Sequence, residues 1–345
     1  MKYKILIYSM TFYRDYGVSF ILSKLLEKLG HECHIVSTEN YLSKDTILSN
    51  PDAIFFMTAN RAKNIIKHYP NAKLFFCSAE GHQELKLDEE NFIKNHELSE
   101  NFINFFFWGK NSLDRFKKIL KKTNISNDLK NKFLNKCMIV GHPRLDTIKF
   151  SQKKKKTNKM QIGFIGSGHF LSRIDNLSLS TDIINRELSN LKYRTEQMLY
   201  SANQLTTYAK IIKRLGFEKY SFSYRPYPQE SREAIKATTI YKEKKLSLSN
   251  ELDFGTWMST NDLIIGDVTD TFTYMYTAKK PYISISKILG RPALEDIGWI
   301  EPTILKIKRN LYPIMPKNID SLIKKIESKN IRTKYSSRLQ NHLNN

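Results

Sequence analysis

Several short segments carry the residues best suited to chemistry. Ser78-Ala79-Glu80-Gly81-His82 sets a carboxylate beside a glycine, with an imidazole two residues on. A carboxylate with open backbone next to it suits a general base that takes a proton from an attacking hydroxyl. The plainer alternative is a helix-capping or surface glutamate. Gly166-Ser167-Gly168-His169 offers flexible backbone N–H groups ahead of a helix, which suits a phosphate or simply a turn. Tyr224-Arg225-Pro226-Tyr227-Pro228 fixes a guanidinium among rings and prolines, for bidentate phosphate binding or an ordinary ion pair. Thr269-Asp270-Thr271 opens a helix and either caps it or offers hydroxyls and free N–H groups to a diphosphate. In Gly141-His142-Pro143-Arg144-Leu145-Asp146, Arg144 and Asp146 are close enough to form a salt bridge at a domain edge.

These segments follow apolar runs with strand character. The first half reads as strands at 3–9, 31–36, 53–58, 73–78, 104–108 and 138–141. Helices are expected at 17–29, 60–68 and 111–122, with a polar loop at 10–16 and Gly30 as a stop. Residues 151–160, SQKKKKTNKM, read as a solvated linker. A second series follows, with strands at 161–166, 219–225, near 244–248, 262–266 and 281–285. Its helices are expected at about 178–215, 230–237, near 254–259, 270–279 and 318–328. Strands alternating with helices predict α/β architecture, with parallel sheets covered on both faces. The expected organisation is a first domain over 1–150, the linker 151–160, a second domain over 161–317, and a helix with a basic tail over 318–345. In such folds ligands bind beyond the carboxyl ends of the strands, where the polar segments fall.

Composition narrows the function. The chain has 345 residues, 41% of them hydrophobic, which excludes a disordered chain. Lys and Arg number 56 against 34 Asp and Glu, a net charge of +22. Much of the excess sits in 151–160 and 304–345, and no zinc-finger, RNP-like or basic-zipper pattern accompanies it. Solvated Lys-rich faces, an anionic membrane surface or an anionic substrate account for it better than nucleic acid. The three cysteines, Cys33, Cys77 and Cys137, lack metal-ligand spacing and read as reduced and structural, in keeping with a cytoplasmic protein. The opening residues are too short and too β-like for a signal peptide, and no apolar run is long enough to cross a bilayer.

Taken in order, the segments resemble a known group. AEG at 79–81, FFFWGK at 105–110, VGHPRLD at 140–146, SYRPYP at 223–228 and DLIIGDVTDTFTYMYTAKKPYISI at 262–285 are similar to motifs of GT-B glycosyltransferases of bacterial surface-carbohydrate biosynthesis. That group is loosely akin to Kdo transferases and CDP-glycerol glycerophosphotransferases. The resemblance spans most of residues 1–290, and VGHPRLD is its most specific piece. It implies two facing Rossmann-like domains, the first for an acceptor and the second for a nucleotide-activated sugar. It makes Glu80 the catalytic base and puts His82, Arg144 and Asp146 on the acceptor side. It assigns Ser167, Gly168, Arg225, Thr269 and Thr271 to the donor phosphates. It implies no metal and no cofactor beyond the nucleotide-sugar substrate, with a glycan or lipid-linked acceptor; the basic linker and tail suggest peripheral contact with an anionic inner membrane face. Tyr227 and Tyr274 stand where related sequences carry His and Glu, and Asp270 adds a negative charge beside the expected phosphate site. A polyol-phosphate transferase of the CDP-glycerol type and a non-catalytic GT-B-like binding protein are the alternatives.

Overall fold

The computed structural model describes residues 1–9, 12–37, 50–57, 68–77, 102–150, 158–166, 191–227, 230–238, 241, 246–251, 253–267, 272–290, 314–328 and 331. The chain divides into two compact units, one built on Met1–Lys149 and the other on Phe150–Gln340.

In the first unit the described elements are β1 (Lys4–Ser9), α1 (Phe12–Lys28), β2 (Glu32–Ser37), β3 (Ala53–Phe56), β4 (Lys73–Cys77) and β5 (Phe102–Phe107). Then come α2 (Lys110–Lys122), α3 (Asn127–Asn135), β6 (Cys137–Ile139), α4 (Pro143–Asp146) and a 3₁₀ turn at Thr147–Phe150. Six strands form one parallel sheet in the order β2-β1-β3-β4-β5-β6. One face is aromatic: Phe56, Phe76, Phe102, Phe105 and Phe107 pack with Phe116 of α2 and Phe133 of α3. Alternation along a strand puts Phe106 on the opposite face. Gly30, with φ at +89°, ends the first crossover as expected.

The second unit contains β7 (Met160–Ile165), α5 (Leu191–Leu215), β8 (Tyr220–Arg225), α6 (Arg232–Ala237), β9 (Leu246–Leu248) and α7 (Phe254–Thr260). It continues with β10 (Leu263–Gly266), α8 (Phe272–Thr277), β11 (Tyr282–Ser284), α9 (Ser286–Leu289) and α10 (Ile319–Glu327). Its five described strands are also parallel, in the order β11-β10-β7-β8-β9. α5 buries Leu205, Tyr208, Ile211 and Ile212, a helical stripe, against Ile162, Phe164 and Phe222. α10 starts with a capping box between Asn318 and Ser321 and buries Leu322, Ile323 and Ile326 in the same core.

Several expectations need correction. The loop at 10–16 is largely helix, since α1 begins at Phe12 and runs through Gly17 without a break. Tertiary packing of the following apolar face overrides the weak helix propensity of that glycine. The helices α3, α4 and α9 were not expected; α3 is mostly polar and buries Phe133 alone of its side chains. Nearly all of the helix expected at 60–68 and the start of the one expected at 178–215 lie outside the described residues, as does most of the linker.

In each sheet the first strand is internal. The chain winds to one side of it and then returns to the other, so strand order reverses between β1 and β3 and between β7 and β10.

Candidate functional site

The described residues bring polar groups together at the carboxyl ends of the strands, within each unit separately. In the second unit, β7 and β10 lead directly into Gly166 and Asp267, and β8 ends at Arg225. A Cβ on Gly166 would collide with the Glu230 carboxylate, and would lie 2.5 Å from the Tyr224 hydroxyl and 2.8 Å from the Tyr227 nitrogen. Glycine is required because this network presses on the end of the strand. Glu230 is buried and accepts hydrogen bonds from the Tyr224 hydroxyl at 3.0 and 3.1 Å and from the Tyr227 N–H at 2.6 Å. Arg225 is also buried, and its Nη1 donates to Ser249 Oγ at 3.3 Å and to the Glu251 carbonyl. The guanidinium therefore ties the end of β8 to the segment after β9. Asp267 is 1% exposed; its carboxylate accepts from Ser286 Oγ at 2.7 Å and its carbonyl from the Tyr282 hydroxyl.

Tyr208 and Tyr224 stand behind this cluster. The Tyr208 hydroxyl donates to the Ile165 carbonyl at 2.8 Å. Burial pushes the Tyr208 phenol well above its ordinary range, and the charges of Asp267 and Glu230 push it further. Tyr224 is raised in the same way, by burial first and then by Glu230.

In the first unit, Cys77, Trp108 and His142 follow one another across the ends of β4, β5 and β6. The Trp108 indole is hydrogen bonded to the Cys77 thiol. The His142 ring stacks on it with centroids 3.3 Å apart and planes at 19°. His142 Nδ1 accepts the Arg144 backbone N–H at 3.2 Å, so the neutral ring carries its proton on Nε2. Gly141, at φ +89°, makes the turn into this segment. Arg144 Nη2 meets Asp15 Oδ1 at 2.6 Å in a buried ion pair that joins α4 to the first turn of α1. Asp15 is a partner for Arg144 that the sequence reading did not name. Burial raises the Cys77 thiol to about 12, against Arg144 and Trp108, which favour the thiolate. Ser9 Oγ, at the end of β1, and Ser19 Oγ, on α1, are buried without a hydrogen-bond partner among the described residues.

No protein-family model matches the chain, and no curated protein matches it in sequence. Solved structures match it over nearly its whole length. A co-structure of S. aureus MnaA with UDP gives a TM-score of 0.53 at 12% identity, covering 95% of this chain and 87% of that one. The wall teichoic acid polymerase TagF, in a structure soaked with CDPG, gives 0.54 at 10% identity, covering 99% of this chain and 83% of that one. The fold is of the GT-B type.

On this GT-B-type fold, the residues singled out in the sequence divide sharply. Glu80, His82, Ser167, Gly168, Thr269 and Thr271 lie outside the described residues. Arg144, Asp146 and Arg225 lie within them. Arg144 and Arg225 are held by Asp15 and by the 249–251 segment, and Asp146 is exposed on α4. Asp15, Glu230 and Asp267 were missed as site residues. Asp15 sat in a segment read as loop, and its partner is 129 residues away. The sequence predicts Glu230 only as the start of the helix at 230–237. The buried carboxylates had one usable signal: an acidic residue beside a strand end that also carries Arg or Tyr. Among the described residues, no group of three or more His, Cys, Asp or Glu is arranged to hold a metal ion. No described helix is long and apolar enough to cross a membrane.

Two predictions follow from these contacts. Asp15→Ala should cost about 3–5 kcal/mol, because it strands a buried guanidinium, whereas the pair Asp15→Leu with Arg144→Met should cost much less. Urea unfolding of the single and double variants measures this; equal losses would contradict it. The second concerns alkaline pH. Cys77, Tyr208 and Tyr224 all have folded-state pKa values above their unfolded ones, so the native state keeps protons that the unfolded chain releases. Their contribution is complete below the unfolded values and is lost as pH rises, from roughly pH 9 for the thiol and 10 for the phenols, towards the folded values. Melting temperature should therefore fall steadily from pH 9 to 11, and a flat profile would contradict the assignment.

Proposed function

We propose that this chain is a GT-B-type glycosyltransferase of surface-glycan biosynthesis. It moves a sugar from a nucleotide-activated donor to a hydroxyl of a glycan or lipid-linked acceptor. The observation that carries the reading is the reversal of strand order between β7 and β10. Such a reversal opens a crevice beyond the strand ends, because the two neighbouring chain segments leave in opposite directions. Here those segments begin at Gly166 and Asp267 and run into Ser167-Gly168 and Thr269-Asp270-Thr271. Likeness of fold to a protein solved with UDP and to one soaked with CDPG supports a nucleotide-linked donor.

In this reading the Glu80 carboxylate takes the proton from the acceptor hydroxyl as its oxygen attacks the anomeric carbon. His82, Arg144 and Asp146 belong to the acceptor side. The nucleoside diphosphate departs as its bond to that carbon breaks. Arg225, Thr269, Thr271, Ser167 and Gly168 meet the charge that develops on it, without a bound metal. Contacts from Nη1 to Ser249 and Glu251 hold Arg225 in a fixed orientation, which lowers the cost of reorganisation during transfer. The match to the TagF polymerase favours a second reading, transfer of a polyol phosphate from a CDP-linked donor. Both use the same phosphate contacts, but in the second the acceptor oxygen attacks the polyol-bearing phosphorus and CMP leaves, so the group joined and the leaving group both differ. Peripheral contact with an anionic membrane face is consistent with the net charge of +22.

A panel of CMP, CDP, UDP and GDP should include one nucleotide that stabilises the protein by about 2.7 kcal/mol at a hundredfold excess over its Kd. No shift with any of them would favour a non-catalytic protein. With donor and acceptor in hand, Glu80→Gln should abolish transfer at unchanged melting temperature; full turnover would remove Glu80 as the base, and the joined product separates sugar from polyol phosphate. Membrane contact should be released from anionic vesicles as salt rises, and salt-independent binding would refute its electrostatic origin.

A further inference from the structure

Past β9 the chain carries Ser249, Asn250, Glu251 and Asp253 on the carboxyl side of the second sheet. Ser249, Asn250 and Asp253 each have a task in the fold. Ser249 Oγ accepts from Arg225 Nη1 at 3.3 Å and from the Glu251 N–H at 3.3 Å. Asn250 Oδ1 accepts from Arg232 Nη1 at 2.6 Å. The Asp253 carboxylate caps α7, accepting the Thr256 N–H at 2.7 Å. Glu251 differs. Its N–H and its carbonyl are both held, by Ser249 and by the Arg225 guanidinium. Its carboxylate is exposed and has no hydrogen-bond or ion-pair partner among the described residues. An anchored backbone under an unengaged carboxylate makes a preorganised acceptor.

Topology says what that acceptor faces. Taken from the other edge, the strand order is β9-β8-β7-β10-β11, so the first three strands of the unit stand side by side before the reversal. This is the order of doubly wound dinucleotide-binding folds, where the diphosphate meets the turn after the first strand and a carboxylate further along the chain takes a ribose hydroxyl. Here β8 pairs directly with β7 and ends in Arg225, which holds Glu251 beside it. Adjacent strands are about 4.8 Å apart, so a nucleotide with its diphosphate past β7 brings its ribose within reach of a side chain past β8. Charge agrees with this placement. A carboxylate repels phosphate oxygens and accepts from hydrogen donors, of which the ribose diol offers two.

We infer that Glu251 is the ribose contact of the donor site, accepting hydrogen bonds from the 2′- and 3′-hydroxyls of a nucleoside diphosphate. The inference rests on the donor site proposed above and adds the group that selects a ribonucleotide there.

The test is calorimetric titration of the full chain with UDP, CDP and GDP and with their 2′,3′-dideoxy counterparts. The phosphate charge is the same within each pair, so the ratio of affinities separates the hydroxyls from any change in electrostatics. The parent protein should bind a ribonucleotide about tenfold or more tightly than its dideoxy counterpart, as expected for hydrogen bonds to a charged acceptor. Glu251→Ala should bring the ratio close to one, with Glu251→Gln between the two. Both variants should melt with the parent, because the side chain is exposed. A Glu251→Ala variant that keeps the ribose preference, or that weakens both members of a pair equally, would overturn the inference. So would an effect confined to a sugar-linked donor, which would place the carboxylate on the transferred group. Nucleotide binding without ribose preference in the parent would remove this contact alone and leave the donor site standing. Absence of binding by every nucleotide would remove both.

Discussion

Parallel strands can be joined only by a crossover over a face of the sheet, and crossovers in these folds share one hand. That constraint governs both halves of this protein. A chain that begins with an internal strand must build outward on one side and then return to the other. The return places two strand ends side by side with their outgoing segments diverging. In the second unit those ends are Gly166 and Asp267; in the first they belong to β1 and β3. Sites at these positions come from topology, before any side chain is chosen.

The side chains then have to make the strand ends stable. Each unit buries carboxylates near them and gives each one donors. Asp15 has the Arg144 guanidinium, Glu230 has a phenol and a backbone N–H, and Asp267 has Ser286 Oγ. A buried ionised group without such partners would cost several kcal/mol, so these contacts fix the loops that carry them. Glu230 is the clearest instance. It packs so closely on β7 that only glycine fits at 166, and it holds the Tyr227 amide just past Arg225. The stability of these ends and the orientation of Arg225 therefore depend on the same small set of buried polar contacts.

The fold was legible because its strands are dense apolar runs. KILIYS, FINFFF and LIIG cannot be satisfied except in a covered sheet, and their spacing left room for little but helices between them. Helix starts were less legible where polar residues and a glycine preceded the apolar stripe, as in α1. Long-range pairing was hidden altogether. Arg144 stands two residues from Asp146 in sequence, yet its carboxylate partner comes from the other end of the domain. Arg225 was recognisable as a rigidly placed cation, but nothing near it in sequence announced Ser249 and the Glu251 carbonyl as its anchors. Local spacing shows which residues share a strand end. It does not show which distant residues the fold brings to meet them.

Amide hydrogen exchange, followed with and without UDP or CDP, tests the central claim most directly. Protection is expected at the ends of β7 and β10, around Gly166 and Asp267, and at the end of β8 around Arg225. Saturating nucleotide that leaves these amides unchanged, or protects only the first unit, would contradict a donor site at the strand reversal of the second unit.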